Sequence, residues 1–574
     1  MSGAEAAGLA GLASAEAHLA RGAFDEAGQA LLDAASRLSD TRALCRCAEL
    51  LVIARRDAAA TELAERIARE RPDCFAWCWH FAGHMRAKGD LQASQRVLAA
   101  ARAAMPKANG DCLRAELGLA LGLPSVYTSR AELDGIRARF LQGLAQFAAK
   151  YTTAEIGRIG ATPEDLSWSN FLLAYHGQDD RAPQAQFGDW MSAGLAALLP
   201  DCVQVAAAPT RARPRVAFVS SSFHRCTVGF YFAAWIEYLA HAEWDVVLVH
   251  VGTRRDQLSE RLARAAQSEL TLAGSIAENA RALRALSADL IVYPELGMDR
   301  EVFALAALRL ARRQACAWGH PVSSGLPSID AFISCAAMEP ADAASHYREQ
   351  LITLPGLGTR YLSPRVPDAP SRNELGLPAQ RPLYLVPQAL FKLHPDHDAV
   401  LVEILRRDPR ALFVLFELRA PSGVLRTRER LLRAFAAISA QPQQHLHWFV
   451  ECSRLDYLRI NLACDVMVDS LHWSGGNATL DALHCGLPVA TCPGAYMRGR
   501  QSAAMLLALD CAELIAHTPQ QLAEIAVAIA HDAPRRARLK QKIATNLPRL
   551  TASDAPLQAL DRALRELLHT APPG

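Results

Sequence analysis

The residues whose types and spacing could do chemistry cluster in four short segments. The strongest runs from His472 to Gly494, HWSGGNATLDALHCGLPVATCPG, behind the β-like run DVMVD. Gly475 and Gly476 let backbone approach a ligand, Asn477 and Thr479 offer side-chain hydrogen bonds, and ATLDALHC reads as a helix. A helix N-terminus behind a glycine turn is an anion site, because free N–H groups and the helix dipole point at the ligand. A diphosphate fits it, and Asp481 in the first helical turns could hold a ribose hydroxyl. The alternative is a tight strand-to-helix turn with a helix-start carboxylate.

In YLVPQALFKLHPDHD, Gln388 and Lys392 stand just past a strand end, where a lysine could neutralise a departing phosphate; a solvated lysine is the alternative. Asp396, His397 and Asp398 resemble an Asp-x-Asp metal motif, but their place before AVLVEILRR fits helix capping and dipole matching better. No metal is expected. In ACAWGHPVSSGLPSIDAF, His320 occupies a Gly-His-Pro turn and could donate to a sugar hydroxyl or phosphate, or be structural. The fourth segment, VAFVSSSFHRCTVGFYF, follows another apparent strand and carries His224 and Cys226.

These loops need elements to hold them. From Arg215 onward, β-branched runs at 216–220, 245–251, 289–293, 383–387, 411–417, 465–469 and 488–492 alternate with helical stretches. That pattern predicts parallel sheets covered by helices, in two sets parted by the proline-rich segment around 363–382. Ligands in such sheets sit beyond the carboxyl ends of the strands, so the four segments fall where chemistry is expected.

Before them lies a different kind of sequence. Residues 1–120 are Ala-rich helix formers, and Gly22, Arg56 and Gly89 open turns at offsets of 56 − 22 = 34 and 89 − 56 = 33. Pro72 and Pro106 repeat the spacing, 106 − 72 = 34. This is the tetratricopeptide period, whose stacked helix pairs present a surface for an extended polypeptide. The expected domains are helical repeats at 1–120, a helical connection at 121–210, and Rossmann-like domains at 211–375 and 376–574, the latter with terminal helices.

Composition limits the alternatives. Among 574 residues, Lys plus Arg number 61 and Asp plus Glu 59, a net charge of +2 that gives no field for gripping nucleic acid. The N-terminus lacks the basic start and apolar run of a secretory signal, and no apolar run is long enough to span a membrane, so a cytoplasmic location is expected. The 14 cysteines are scattered and read as buried small hydrophobes.

Taken together, WGHPVSSG, YPELGMD (293–299), LPGLG (354–358), PQALFKLHPD, the SGGN loop and GAYMRGRQS (494–502), behind tetratricopeptide-like repeats, resemble the bacterial branch of the O-GlcNAc transferase and SPINDLY-like family. The resemblance covers about 210–510, with NFLLAYHG (170–177) as an earlier echo. It implies a GT-B fold, a UDP-sugar donor, metal-independent inverting transfer, and protein acceptors modified on hydroxyl or amide side chains, with adhesins or flagellin as candidates. No cofactor is implied.

By position, the resemblance places Gln388 and Lys392 beside uridine and diphosphate, Lys392 assisting the leaving group. Gly475, Gly476, Asn477, Thr479 and Asp481 wrap diphosphate and ribose, Arg454 and Tyr457 hold the uracil, and His320 lies at the sugar side. Arg498 and Arg500 would add charge near the donor or lie on the surface.

In one place the sequence departs from the family. Where relatives carry a histidine just before the Pro/Thr-Val-Gly step, this chain has Cys226, with His224 two residues earlier. A thiol is a poor general base for a hydroxyl at pH 7. Three readings stay open: His224 acts as base, the donor phosphate takes the proton, or the protein is a weakened nucleotide-sugar-binding scaffold whose repeats bind a partner.

Overall fold

The structure is a computed structural model describing residues 3–203, 211–417, 421–450 and 452–570. The linker residues 206–210, expected to join the helical and Rossmann-like parts, lie outside that set. The chain divides into two units, Met1–Ser125 with Ala138–Asp165, and Val126–Arg137 with Leu166–Gly574.

The first unit is helical. Helices α1 (Gly3–Ala20), α2 (Phe24–Arg37), α3 (Thr41–Ile53), α4 (Asp57–Glu70), α5 (Phe75–Ala87), α6 (Leu91–Ala104) and α7 (Gly110–Leu121) follow one another through short turns. Alanines 27, 48, 60, 64 and 82 are fully buried, and their small side chains let the helices pack closely. The turns within the first three pairs share one geometry. Gly22, Arg55 and Gly89 have φ of 74°, 60° and 87°. The next residue's N–H returns to the carbonyl five positions earlier, Ala23 to His18 at 2.9 Å, Arg56 to Leu51 at 2.8 Å and Asp90 to Met85 at 2.9 Å. This left-handed helix stop prefers glycine. The sequence alignment therefore needs a correction by one residue: Arg55, not Arg56, is the counterpart of Gly22 and Gly89, giving offsets of 55 − 22 = 33 and 89 − 55 = 34. A non-glycine at this position concealed it.

The second unit holds two sheets, each with only parallel pairings among the described residues. The first lobe contains β1 (Arg215–Ser220), β2 (Asp245–Val251), β3 (Ser268–Leu272), β4 (Leu290–Tyr293), β5 (Arg313–Ala317), β6 (Ala331–Cys335) and β7 (Gln350–Leu354), ordered β3-β2-β1-β4-β5-β6-β7. In the second lobe β8 (Leu383–Leu385), β9 (Leu412–Glu417), β10 (Leu446–Val450), β11 (Val466–Val468) and β12 (Val489–Ala490) are ordered β10-β9-β8-β11-β12.

Each order reverses beside its first strand, between β1 and β4 and between β8 and β11, and the crevice at such a reversal is where open parallel sheets bind ligands. Five strands escaped the sequence reading: β3, β5, β6, β7 and β10. Edge strands β3, β7 and β10 are mostly exposed or half-buried with no regular alternation, and β5 opens on Arg313 and Gln314, so none shows a long β-branched run.

The last helix, Ala555–His569, packs against the first lobe's helix Thr227–His241 rather than the second lobe that precedes it in the chain. Trp244 Nε1 donates to Asp561 Oδ1 at 2.7 Å, and Arg313 Nε donates to the Leu567 carbonyl at 3.0 Å. The connecting segment is tied to the second lobe through buried charge. Asp180 accepts from Arg137 at 2.8 Å and from Arg498 at 3.1 Å, which makes Arg498 a buried structural residue and not a surface arginine. That anchorage sets the short helical turn Phe171–His176 against the crevice.

Candidate active site

The site forms where the loops after β8 and β11 face the first lobe, around a cavity of about 490 Å³. After β8 the chain makes a tight turn, Leu390–Lys392, that brings Gln388 and Lys392 to the cavity wall. The Lys392 ammonium lies 5.5 Å from the centre of the Trp473 ring and 5.9 Å from that of Phe391, within reach of their negative faces. No carboxylate among the described residues forms an ion pair with it. Burial pulls its pKa down to about 8, partly opposed by Asp469, so the group still carries its proton at pH 7.

After β11 the loop wraps around Asp469. One oxygen of its carboxylate accepts from the N–H groups of Gly475 at 2.7 Å and Ser470 at 3.1 Å; the other accepts from Thr491 Oγ1 at 2.7 Å. Ser502 Oγ donates to the Gly475 carbonyl at 3.0 Å and pairs with Thr479 Oγ1 at 2.7 Å. These bonds fix the glycine turn before any ligand arrives. They also engage the hydroxyl of Thr479, which is fully buried and takes no place in the cavity wall.

The close approach explains both glycines. A Cβ on Gly475 would sit 2.4 Å from Thr479 Oγ1, and one on Gly476 would sit 2.0 Å from the Tyr231 hydroxyl. Behind the turn the helix Asn477–His484 begins with no side-chain cap. Three buried polar atoms without protein partners gather there: Tyr231 OH, Gln501 Oε1 and Gln388 Nε2. Buried polar groups are normally paired, so this set and the uncapped helix start leave capacity for a polar, anionic ligand.

Farther along the wall Arg454 and Asp481 form a two-pronged ion pair, and Asn477 Nδ2 donates to the same carboxylate at 3.3 Å. Asp481 is thus occupied in orienting Arg454, in place of the free ribose acceptor expected from sequence. The Arg454 guanidinium lies 5.6 Å from the ring centre of Tyr457, which packs on Phe416 at 5.2 Å. A flat base could stack there.

At the opposite end, His320 is buried between Phe171, 5.4 Å away, and Trp473, 6.2 Å away. Burial, with the Arg498 and Lys392 charges, pulls its pKa down to about 3, so it meets a ligand as neutral imidazole.

His224 and Cys226 stand apart from this wall. His224 is buried, its Nδ1 is unpartnered, and burial lowers its pKa. Cys226 precedes the helix Thr227–His241; its thiol donates to the Ser222 carbonyl at 3.3 Å, and burial raises its pKa. Neither is poised as sequence reasoning required of a base.

The Asp396–Asp398 segment also differs from expectation. Asp396 occupies the cap position but makes no side-chain cap bond; one of its oxygens accepts from His472 Nε2 at 2.8 Å and Arg130 Nη1 at 2.9 Å. Asp398 pairs with Arg430 at 2.8 Å. His394, Asp396 and His472 each bring one ligand-type atom within 4.8 Å of the others. With Arg130 on the same carboxylate, the group reads as a polar tie between the Lys392 loop and the glycine loop.

Sequence reasoning missed Tyr231, Gln501, Asp469, Phe171, Tyr175 and Trp473. Trp473 and Gln501 lie inside motifs already singled out, and Phe171 and Tyr175 inside NFLLAYHG. Tyr231, in the second turn of the helix Thr227–His241, also lies inside a segment singled out, where His224 and Cys226 drew the attention.

Two Rossmann-like lobes closing on a cleft whose second-lobe wall carries these groups define a GT-B architecture. The chain is similar in sequence to glycosyltransferases of the O-GlcNAc transferase type. Residues 363–553 match the model of Glycosyl transferase family 41. Over 258 residues the chain is 26% identical to the Arabidopsis thaliana probable UDP-N-acetylglucosamine–peptide N-acetylglucosaminyltransferase SEC, covering 43% of this chain and 25% of that protein. Over 265 residues it is 26% identical to the UDP-glucose:protein N-beta-glucosyltransferase of Actinobacillus pleuropneumoniae, covering 45% of this chain and 41% of that protein. The chain therefore spans well under half the length of these curated relatives. A mutant O-GlcNAc transferase from Thermobaculum terrenum shares the fold with a TM-score of 0.66 at 20% identity, over 99% of this chain and 98% of that one.

Proposed function

We propose that the protein is an inverting glycosyltransferase that moves a sugar from a UDP-sugar to Ser, Thr or Asn side chains of a polypeptide. One observation carries the reading: a protonated lysine without a carboxylate partner faces the same cavity as an uncapped helix start and three unpartnered polar atoms. The diphosphate is assigned to the Gly476–Asn477 turn, the uracil to Tyr457 with Arg454, and the sugar to the end holding His320. Relatives named for GlcNAc and for glucose transfer support a hexose donor without choosing between the two.

In the proposed reaction the acceptor oxygen or nitrogen attacks the anomeric carbon on the face opposite UDP. The new bond forms as the carbon–oxygen bond to the β-phosphate breaks, and UDP takes the electron pair. Lys392 and the helix amides meet the charge that develops on it. With those groups in that role no divalent metal is required, and EDTA is expected to leave the rate unchanged. Cys226 is disfavoured as base by its raised pKa and its bond to Ser222. His224 is neutral but outside the cavity wall, so a phosphate oxygen of the donor is proposed to take the acceptor's proton. The helical repeats are assigned the selection of the acceptor.

The test is a donor screen with UDP-GlcNAc, UDP-glucose and UDP-galactose against a candidate acceptor protein, read by intact mass. One sugar increment is expected from one donor, together with UDP protection against heating. Protection without transfer or hydrolysis of any donor would favour the scaffold reading that Cys226 raises. Absence of both overturns the donor assignment.

A further inference from the structure

A second chamber, of about 380 Å³, adjoins the donor cavity and shares Arg454, Asn477 and Asp481 with it. Its lining draws on the loop after β1, the helix Gln257–Ala265 and the segment between the lobes near Arg365. Four arginines, Arg225, Arg261, Arg365 and Arg454, face a single carboxylate, Asp481. Two of the four are already neutralised, Arg454 by Asp481 and Arg261 by Glu237 at 2.6 Å. Arg225 and Arg365 are exposed and, among the described residues, their guanidinium groups form no ion pair, although the Arg225 N–H donates to Asp256 Oδ2 at 2.7 Å. Phe230, Leu258 and Pro364 supply apolar wall between the charges.

We propose that this chamber binds an acidic stretch of the acceptor polypeptide, whose Asp or Glu side chains meet Arg225 and Arg365. The word acceptor rests on the transferase reading above; the anionic-peptide site does not. The chamber borders the donor cavity at Arg454, Asn477 and Asp481, the end assigned to the nucleotide, so the acidic stretch it holds lies away from the side chain that is modified.

Chemistry selects the ligand class. Guanidinium groups take carboxylates through paired N–H bonds, and the apolar wall suits the stems of peptide side chains. A free phosphate is the poorer fit, since both unpaired arginines are exposed and come from different segments instead of converging on one point. Nucleic acid is a poorer fit again, because the chain's net charge is only +2.

The experiment uses the full chain with saturating UDP, so that the donor cavity is filled. Fluorescence anisotropy would follow labelled octapeptides with four Asp or Glu, the same peptides with Lys, and neutral versions. Acidic peptides are expected to bind, more weakly as salt rises, and at least about 10-fold more weakly to the variant combining Arg225→Ala and Arg365→Ala. UDP protection against heating should stay unchanged in that variant, which also reports that it folds. Equal binding of acidic and basic peptides, or an unaffected double variant, overturns the proposal. So does competition by inorganic phosphate at a site that takes no peptide. If a donor and acceptor are found, the double variant should raise KM for acidic acceptors and spare kcat. Peptide binding without any transfer would leave this site standing and remove the transferase reading.

Discussion

At the strand ends of the second lobe, Gln388, Lys392, the Gly475–Gly476 turn and the Arg454–Asp481 pair line or frame one cavity. The matching loops of the first lobe present His224, Cys226 and Glu295, none of which lines the cavity. Burial pushes Glu295 up to about 8, and its carboxyl accepts from Ser220 Oγ at 2.6 Å. His224 and Cys226 are held neutral by the same cause.

The two lobes are built on similar parallel sheets, yet among the described residues that line the cavity, only the second lobe brings a charge without a protein counterpart, Lys392. Under the proposed reaction the difference means that fixed groups of the second lobe would meet the leaving group, whereas no side chain of the first lobe is placed to take the acceptor's proton. The first lobe's main additions to the cavity are shape and neutral polarity, through Tyr231, Trp318 and His320.

The sharpest way to break this contrast is Lys392→Ala. Loss of the one charge aimed at the leaving group should lower kcat by about 100- to 1,000-fold while UDP still protects the fold against heating. Near-normal turnover would return the second lobe to a passive binding role.

Gly476→Ala tests whether the lobes meet at the glycine turn. Its Cβ would lie 2.0 Å from the Tyr231 hydroxyl, so UDP affinity should fall by at least about 10-fold. Tyr231→Phe in the same chain removes that oxygen and leaves Gln501 Oε1 at 2.8 Å and the ring carbon at 3.2 Å, so calorimetry should detect partial recovery only.

A pH profile separates the lobes without mutation. Lys392 has a pKa lowered to about 8, so its charged form prevails below that pH. The ratio kcat/KM should therefore fall as pH rises through about 8, and the fall should vanish from the residual activity of Lys392→Ala.

The smallest effects are expected in the first lobe. His224→Ala and Cys226→Ala should each change kcat by less than about 10-fold, whereas removing a working general base costs roughly 100- to 10,000-fold. A larger loss at either position would make the first lobe a chemical partner after all.

Much of this was legible in the residues. The glycine loop, Lys392, Gln388 and His320 announced themselves by type and by position after β-like runs, whereas Tyr457 was picked out only by the family resemblance. The repeat period was visible too, although Arg55 stood where glycine marks the other turns and shifted the alignment by one. Short or half-exposed strands such as β3 and β10 were illegible because neither alternation nor β-branching is strong in SELTL or LHWFV. The Arg454–Asp481 pair could not be read, since residues 27 apart in sequence carry no local sign that they touch.

The sequence by itself determined which segments would bear chemistry, because glycine turns, strand ends and helix starts are local properties of a few neighbouring residues. Only the tertiary structure decided which of those groups remain available to a ligand. Asp481 is consumed by Arg454, Thr479 by Ser502 and Arg498 by Asp180, while Lys392 keeps its charge without a carboxylate partner. The physical reason is that burial makes every polar group seek a partner, and which partner it finds depends on contacts between segments far apart in the chain.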